Sequence, residues 1–337
     1  MDGGNLMKRS AMLAAAGATA ATALAWPAYV SGQTLIPVRF ALIGSGGQDE
    51  VSNVIQQFGF DKKYGLALEV IDFTAPGQQY PMFRADAIDV AAGNFVDLLR
   101  QRKAGVGLRA FHGFQGYSNL IVTRPDSPIK TFKDLKGKKV GQFGTTFLDW
   151  LIIRAAGKKA YNLDLATDAE LVGGAPPLLN QFLAKGDVDA TLQFSSLTLG
   201  PIAQGQQRVV SEMSDLMRAA GFDPRSFYVQ WHVTDKWTGA HPGAIDKVKA
   251  MLTDAYAKLK SDDSVWPALA EKIHITDPAL VAAYRDLDRK IDNPPYDPSL
   301  LAPTQKLLDA IVAIAGEDAV GVTTLDPAAF LFPGRRG

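Results

Sequence analysis

Met82-Phe83-Arg84-Ala85-Asp86-Ala87-Ile88-Asp89-Val90-Ala91-Ala92-Gly93 and Leu183-Ala184-Lys185-Gly186-Asp187-Val188-Asp189-Ala190-Thr191-Leu192-Gln193-Phe194 decide the fold. Each closes a helical pattern, passes a turn, and enters an apolar strand carrying one aspartate, Asp89 or Asp189. The two are not tandem copies. They read as a structural echo between two similarly built lobes rather than a solenoid repeat.

Working outward from the first stretch, Val38 to Ile43 is a strand stopped by Gly44-Ser45-Gly46-Gly47. Val51 to Tyr64 has apolar residues at helical spacing, and Leu68 to Phe73 is a strand stopped by Ala75-Pro76-Gly77. A helix over Val96 to Lys103 and a strand over Leu108 to His112 follow. Around the second stretch the pattern restarts with strands at Lys138 to Gly141 and Ala169 to Val172 and helices at Phe147 to Ala156 and Pro177 to Ala184. Strand and helix in alternation describe an α/β chain with a mixed, mostly parallel sheet in each lobe. Ser118 to Arg124, ending at Pro125, is a natural crossover, and Tyr228 to Val233 is the return. Beyond it the chain is nearly all helical, with Ile245, Val248, Met251, Leu252, Ala255 and Leu259 on one face of Ala244 to Lys260. The organisation is a signal segment over 1–32, a first lobe from 33–122 plus 228–337, and a second lobe from 123–227.

The 337 residues fit two lobes of roughly 150 residues each. Thirty-five basic residues balance thirty-five acidic ones, so no net charge draws the chain to nucleic acid. No cysteine is present, which removes disulfides, thiolate zinc sites and a Cys nucleophile. The four histidines, His112, His232, His241 and His274, lack a metal-ligand spacing, so neither metal nor cofactor is expected. No nucleophile elbow or paired acids point to catalysis, and no catalytic residue is assigned. At the N-terminus, Lys8-Arg9 precedes an Ala-rich run from Ala11 to Ala25, the basic, apolar, small order of a cleaved signal peptide.

Ile129-Lys130-Thr131-Phe132-Lys133-Asp134-Leu135-Lys136-Gly137-Lys138-Lys139-Val140-Gly141, then Phe143-Gly144-Thr145-Thr146, Gly186-Asp187-Val188-Asp189-Ala190 and Lys236 to Ala255 together carry a resemblance. In order and spacing they resemble the nitrate/sulfonate/taurine branch of ABC-transporter substrate-binding proteins, which also holds thiamine-precursor and aromatic-carboxylate binders. The resemblance covers nearly the whole mature chain. It implies the two-lobed type II periplasmic-binding-protein (Venus-flytrap) fold. It also implies a monomer in the periplasm that passes a small organic anion to an inner-membrane ABC permease with its cytoplasmic ATPase. An enzyme of thiamine-pyrimidine or menaquinone type on the same fold, or a periplasmic sensor subunit, remains an alternative. The synthase group depends on a Cys-rich segment that this chain lacks. Where that branch often has an aromatic-acidic-proline step, this chain reads Gln193-Phe194-Ser195-Ser196, so ligand identity does not carry over.

Ligands of open α/β sheets bind beyond the carboxyl ends of strands. The residues following each strand and near the crossings are therefore the candidates: Ser45, Gly46, Thr74, Asn94, Phe95, Phe114, Tyr117, Phe143, Thr145, Thr146, Gly174, Phe194, Ser195 and Trp231. They are rich in aromatics, hydroxyls and amides, which suits a flat organic ligand. Each has a plainer reading. The glycine cluster is also a tight turn, the phenylalanines and Trp231 could be packing, and Thr145 could be a helix cap. Asp89 and Asp189 read as residues that cap turns or orient strand ends within their own lobes. Thr145 and Thr146, before an apolar helix, are the expected seat of the anionic head group, where unpaired N–H groups and the helix dipole favour negative charge.

Overall fold

A computed structural model describes residues 34–43, 49–73, 77–272 and 274–332; the segment 1–32, read above as a signal, lies outside the described residues. Among these residues ten strands form two five-stranded sheets. β1 (Ile36–Ile43), β2 (Leu66–Phe73), β3 (Val90–Asn94) and β4 (Leu108–Gln115) begin the first. β5 (Leu120–Thr123), β6 (Lys139–Gln142), β7 (Glu170–Gly173), β8 (Ala190–Gln193) and β9 (Arg208–Glu212) make the second. β10 (Val229–Thr234) returns to the first.

The orders are β2-β1-β3-β10-β4 and β7-β6-β8-β5-β9. They are the same topology twice. Each sheet has three parallel strands and then one strand, β10 or β5, that runs antiparallel to both its neighbours and is supplied by a chain crossing. The echo of the two quoted stretches is reproduced bond for bond. Asp89 N–H donates to the Arg39 carbonyl at 2.9 Å while its carboxylate accepts the Arg39 N–H at 2.8 Å. Asp189 N–H donates to the Lys139 carbonyl at 2.8 Å while its carboxylate accepts the Lys139 N–H at 2.9 Å. Each aspartate thus pairs the start of its strand to the middle one of the three parallel strands, β1 or β6, fifty residues earlier. That is the orienting role read from the sequence.

Along β1, Phe40 and Leu42 pack with the helices Asp49–Phe58 and Ala244–Ser261, whereas Ala41 joins the core on the opposite face. This is the period-two alternation of a strand covered on both sides.

Three features differ from the sequence reading. β5 pairs with β8 and β9, so Leu120, Ile121 and Val122 belong to the second sheet and the chain crosses at 116–119, ahead of the expected boundary at 122. Hydrophobicity marks Leu120 to Thr123 as a strand, but only the partner strands decide which sheet takes it. Second, the C-terminal region is not confined to the first lobe. The helix Leu301–Ala315 lays Leu307, Leu308 and Ile311 against the helix Leu148–Tyr161 of the second lobe. The segment after it returns, with Arg100 Nε donating to the Val320 carbonyl at 2.7 Å and Phe330 bridging to Ala110 in β4. Third, β9 was not anticipated. It is a half-buried edge strand whose short Val209-Val210 core is flanked by charge, so its periodicity is weak.

Candidate functional site

β1 and β2 end at Ile43 and Phe73, so Ser45, Gly46 and Thr74 fall outside the described residues. β3 ends at Asn94, which caps the helix Phe95–Lys103; its Oδ1 accepts the Asp97 N–H at 2.9 Å. The glycine before it is required by close packing. A Cβ on Gly93 would lie 2.6 Å from the Tyr80 hydroxyl and 2.8 Å from the His232 ring.

In the second lobe the expected residues do converge. Phe143 follows β6 and Phe194 follows β8, and because those strands are neighbours the rings meet at 4.7 Å. Phe147, an exposed aromatic, stands edge-on to Phe143 at 5.8 Å. Gly144 has φ 157°, and a Cβ there would run into the Phe147 ring. Thr145 and Thr146 sit exposed in the turn between these rings. The helix Leu148–Tyr161 that follows has Phe147 at its N-cap and no side-chain acceptor. Thr145 is therefore not the cap, and no N-cap side chain takes the first-turn N–H groups. Gly174 follows β7 and packs on Leu179; Ser195 is buried in a short 3₁₀ turn, its carbonyl accepting the Thr198 hydroxyl at 2.7 Å.

Other candidates are packing residues. Trp231 is 0 % exposed, between Phe40 (4.7 Å) and an edge-on Phe114 (4.9 Å), with its indole N–H donating to the Tyr256 hydroxyl at 2.9 Å. Phe95 and Phe114 are 0 % and 2 % exposed. Alternation along β4 and β10 turns Phe114 and Trp231 into the first lobe's core, while Phe95, at the start of its helix, is buried in the other cluster.

Three residues the sequence did not single out connect the lobes. Asp149, in the first turn of the Leu148 helix, accepts at Oδ1 from Asn119 Nδ2 at 2.5 Å and from the Tyr228 hydroxyl. Tyr228 also accepts, at its carbonyl, the N–H of Phe95 at 3.2 Å. Its ring stacks on Tyr117 at 4.6 Å, and the Tyr117 hydroxyl donates to the Phe227 carbonyl at 2.8 Å. Burial pushes the Asp149 carboxyl above its usual range, the Tyr228 hydrogen bond opposes this, and the charge of Asp97 adds to the rise. Tyr228 therefore touches the first turn of both helices, at the Phe95 N–H and at the Asp149 carboxylate. No sequence signal could have found this group, since an aspartate in a helix's first turn is common for dipole reasons alone.

Among the described residues no group of His, Asp and Glu could hold a metal ion, and no helix is long and apolar enough to cross a membrane.

The family model described as NMT1/THI5 like matches residues 54–261, more than half of the chain. A Haemophilus influenzae protein whose name places it in thiamine biosynthesis is 28 % identical over 203 residues, 59 % of this chain; the match spans 63 % of that relative's length. Among solved structures, the alkanesulfonate-binding protein SsuA of Xanthomonas axonopodis pv. citri, bound to MOPS, superposes with TM-score 0.69 at 17 % identity over 88 % of this chain and 98 % of that one. The periplasmic aliphatic sulphonate binding protein SsuA of Escherichia coli gives 0.70 at 20 % identity over 86 % and 89 %. At these identities the two structures establish the two-lobed periplasmic-binding-protein fold.

Proposed function

Because the chain belongs to the NMT1/THI5-like family, and folds as a two-lobed binding protein, we propose that it is the periplasmic solute-binding component of an ABC importer. Its ligand on this reading is a small organic anion of sulfonate or aromatic-carboxylate type, taken between the lobes and delivered to the permease. The observation that carries the ligand class is the meeting of Phe143, Phe147 and Phe194 beside two exposed threonines at an uncapped helix N-terminus. The rings offer a flat apolar body something to pack on, and the helix end offers donors to its head group. Asp149, in the first turn of the same helix, is buried and taken up by Asn119 and Tyr228, whereas Thr145 and Thr146 are exposed. A thiamine precursor is the second reading, favoured by the name of the Haemophilus relative.

A thermal-shift panel of alkanesulfonates, aromatic carboxylates, pyrimidines and nitrate tests the class. A true ligand at a hundred times its Kd stabilises by about 2.7 kcal/mol. Stabilisation by nitrate and by no organic compound would overturn the proposal, and stabilisation by pyrimidines alone would move it to the second reading.

Thr145→Ala and Thr146→Ala should weaken binding of the best panel compound by ~1.5–3 kcal/mol each, the range for a hydrogen bond to a charged group. Neither residue caps the helix, so the unfolding midpoint should stay near the parent's. Calorimetry with urea melts reads both quantities. Unchanged affinity in both variants would place the head group elsewhere.

A further inference from the structure

Rotation of two lobes about a hinge normally needs a few residues at the crossings that absorb the change. Here one residue at a crossing is committed to both lobes at once, by its backbone to one and by its side chain to the other. The Tyr228 backbone belongs to the first lobe, for its carbonyl receives the N–H of Phe95, the first residue of the helix Phe95–Lys103, and β10 begins at the next residue. Its hydroxyl belongs to the second lobe, for it donates to Asp149 in the first turn of the helix Leu148–Tyr161. The other crossing reaches the same carboxylate oxygen through Asn119 at 2.5 Å. Tyr117 presses on the Tyr228 ring and ties the two crossings together through the Phe227 carbonyl. Asp149, Asn119 and Tyr228 are all buried. Thr145, Thr146 and Phe147, in the turn ahead of the same helix, lie where the ligand is proposed to sit.

We infer that Tyr228 and Asp149 are positioning residues that clamp the N-termini of these two helices and so set the separation of the lobes before ligand arrives. The inference deepens the solute-binding reading and rests on it for its purpose. It commits the pair to the width of the cleft rather than to ligand contact. Breaking the clamp should leave each lobe's own core intact, because Phe95 and Leu148 keep their packing, while the lobes sample wider separations.

The natural absence of cysteine makes the measurement direct. Gln57→Cys on the first lobe and Lys185→Cys on the second, both exposed, carry a pair of spin labels in the ligand-free, full-length mature protein. The parent should give one narrow distance distribution. Tyr228→Phe, which keeps the ring on Tyr117, and Asp149→Ala should each lengthen the mean and broaden the distribution. The double variant should be no broader than either alone. Asp149→Asn, which keeps an acceptor oxygen, should return the parent's distribution. A purely local stabilising role would lower the melting temperature and leave the distances unmoved. That result for Tyr228→Phe, or for Asp149→Ala if the first variant does not fold, overturns the clamp. Additive broadening in the double variant overturns it equally. Since no ligand is added, a failed clamp and a failed ligand panel are separate outcomes.

Discussion

Lowering the pH from 7 to 4 should cost the parent protein about 3 kcal/mol more stability than it costs His232→Gln. His232 lies on β10, fully buried, with neither ring nitrogen hydrogen-bonded. Burial alone pushes its pKa down to about 3. In the unfolded chain the imidazole titrates near 6.5. Above pH 6.5 both states are neutral and the contribution is complete. Below it the unfolded state gains a proton that the folded state refuses, so stability falls at about 1.4 kcal/mol per pH unit. The loss runs until the pH approaches 3, where it totals roughly 5 kcal/mol. No carboxylate contributes to the shift, so nothing nearby would compensate the charge. Glutamine is close in size and does not titrate. Other acids change in both proteins, including Asp288 and Asp292, whose burial raises their carboxyls. The difference between the two urea-stability profiles therefore isolates the histidine. A difference that stays flat from pH 7 to pH 4 would show that His232 is solvated or paired.

The second large effect concerns Trp231. Replacing it by alanine should destabilise the protein by ~3–5 kcal/mol, the range for large aromatics in cores. Phe40 and Phe114 lose their ring partner, and the Tyr256 hydroxyl loses its indole donor. Ligand affinity should hold, because no part of Trp231 reaches the surface. Phe194→Ala should do the opposite, with a smaller stability loss and weaker binding, since its half-buried ring meets Phe143 at the ends of β6 and β8. Urea melts and calorimetry on both variants check the contrast. Trp231→Ala with parental stability and a tenfold loss of affinity would return Trp231 to the cleft.

Local signals in this chain were legible because they are local. Val38 to Ile43, Leu68 to Phe73 and Leu108 to His112 read as strands from their residue pattern, and they appear as β1, β2 and β4 with ends shifted by a few residues. The matching order of helix, turn and a strand carrying one aspartate, Asp89 or Asp189, carried the doubling of the fold. The two identical backbone brackets to Arg39 and Lys139 are its physical content. Phe143 and Phe194 were legible as residues that follow strands, and the pairing of β6 with β8 brought their rings together.

Other decisions were not local. Val122 has the same side chain whichever sheet receives it, and only β8 and β9 drew β5 into the second lobe. Trp231 and Phe114 read as cleft aromatics from their place in the chain, yet the face they show follows from how β10 and β4 register with their neighbours. Tyr228 and Asp149, seventy-nine residues apart, meet only because both helices begin at the same gap between the lobes. The sequence by itself determined which segments are strands and helices, that the chain is built twice, and which strand ends could line a cleft, because periodicity and turn chemistry act within a few residues. The tertiary structure alone decided which sheet took each crossing strand, which aromatics were buried, and which side chains join the lobes. Those outcomes depend on the partner a surface packs against, and a pattern along one chain does not specify its partner.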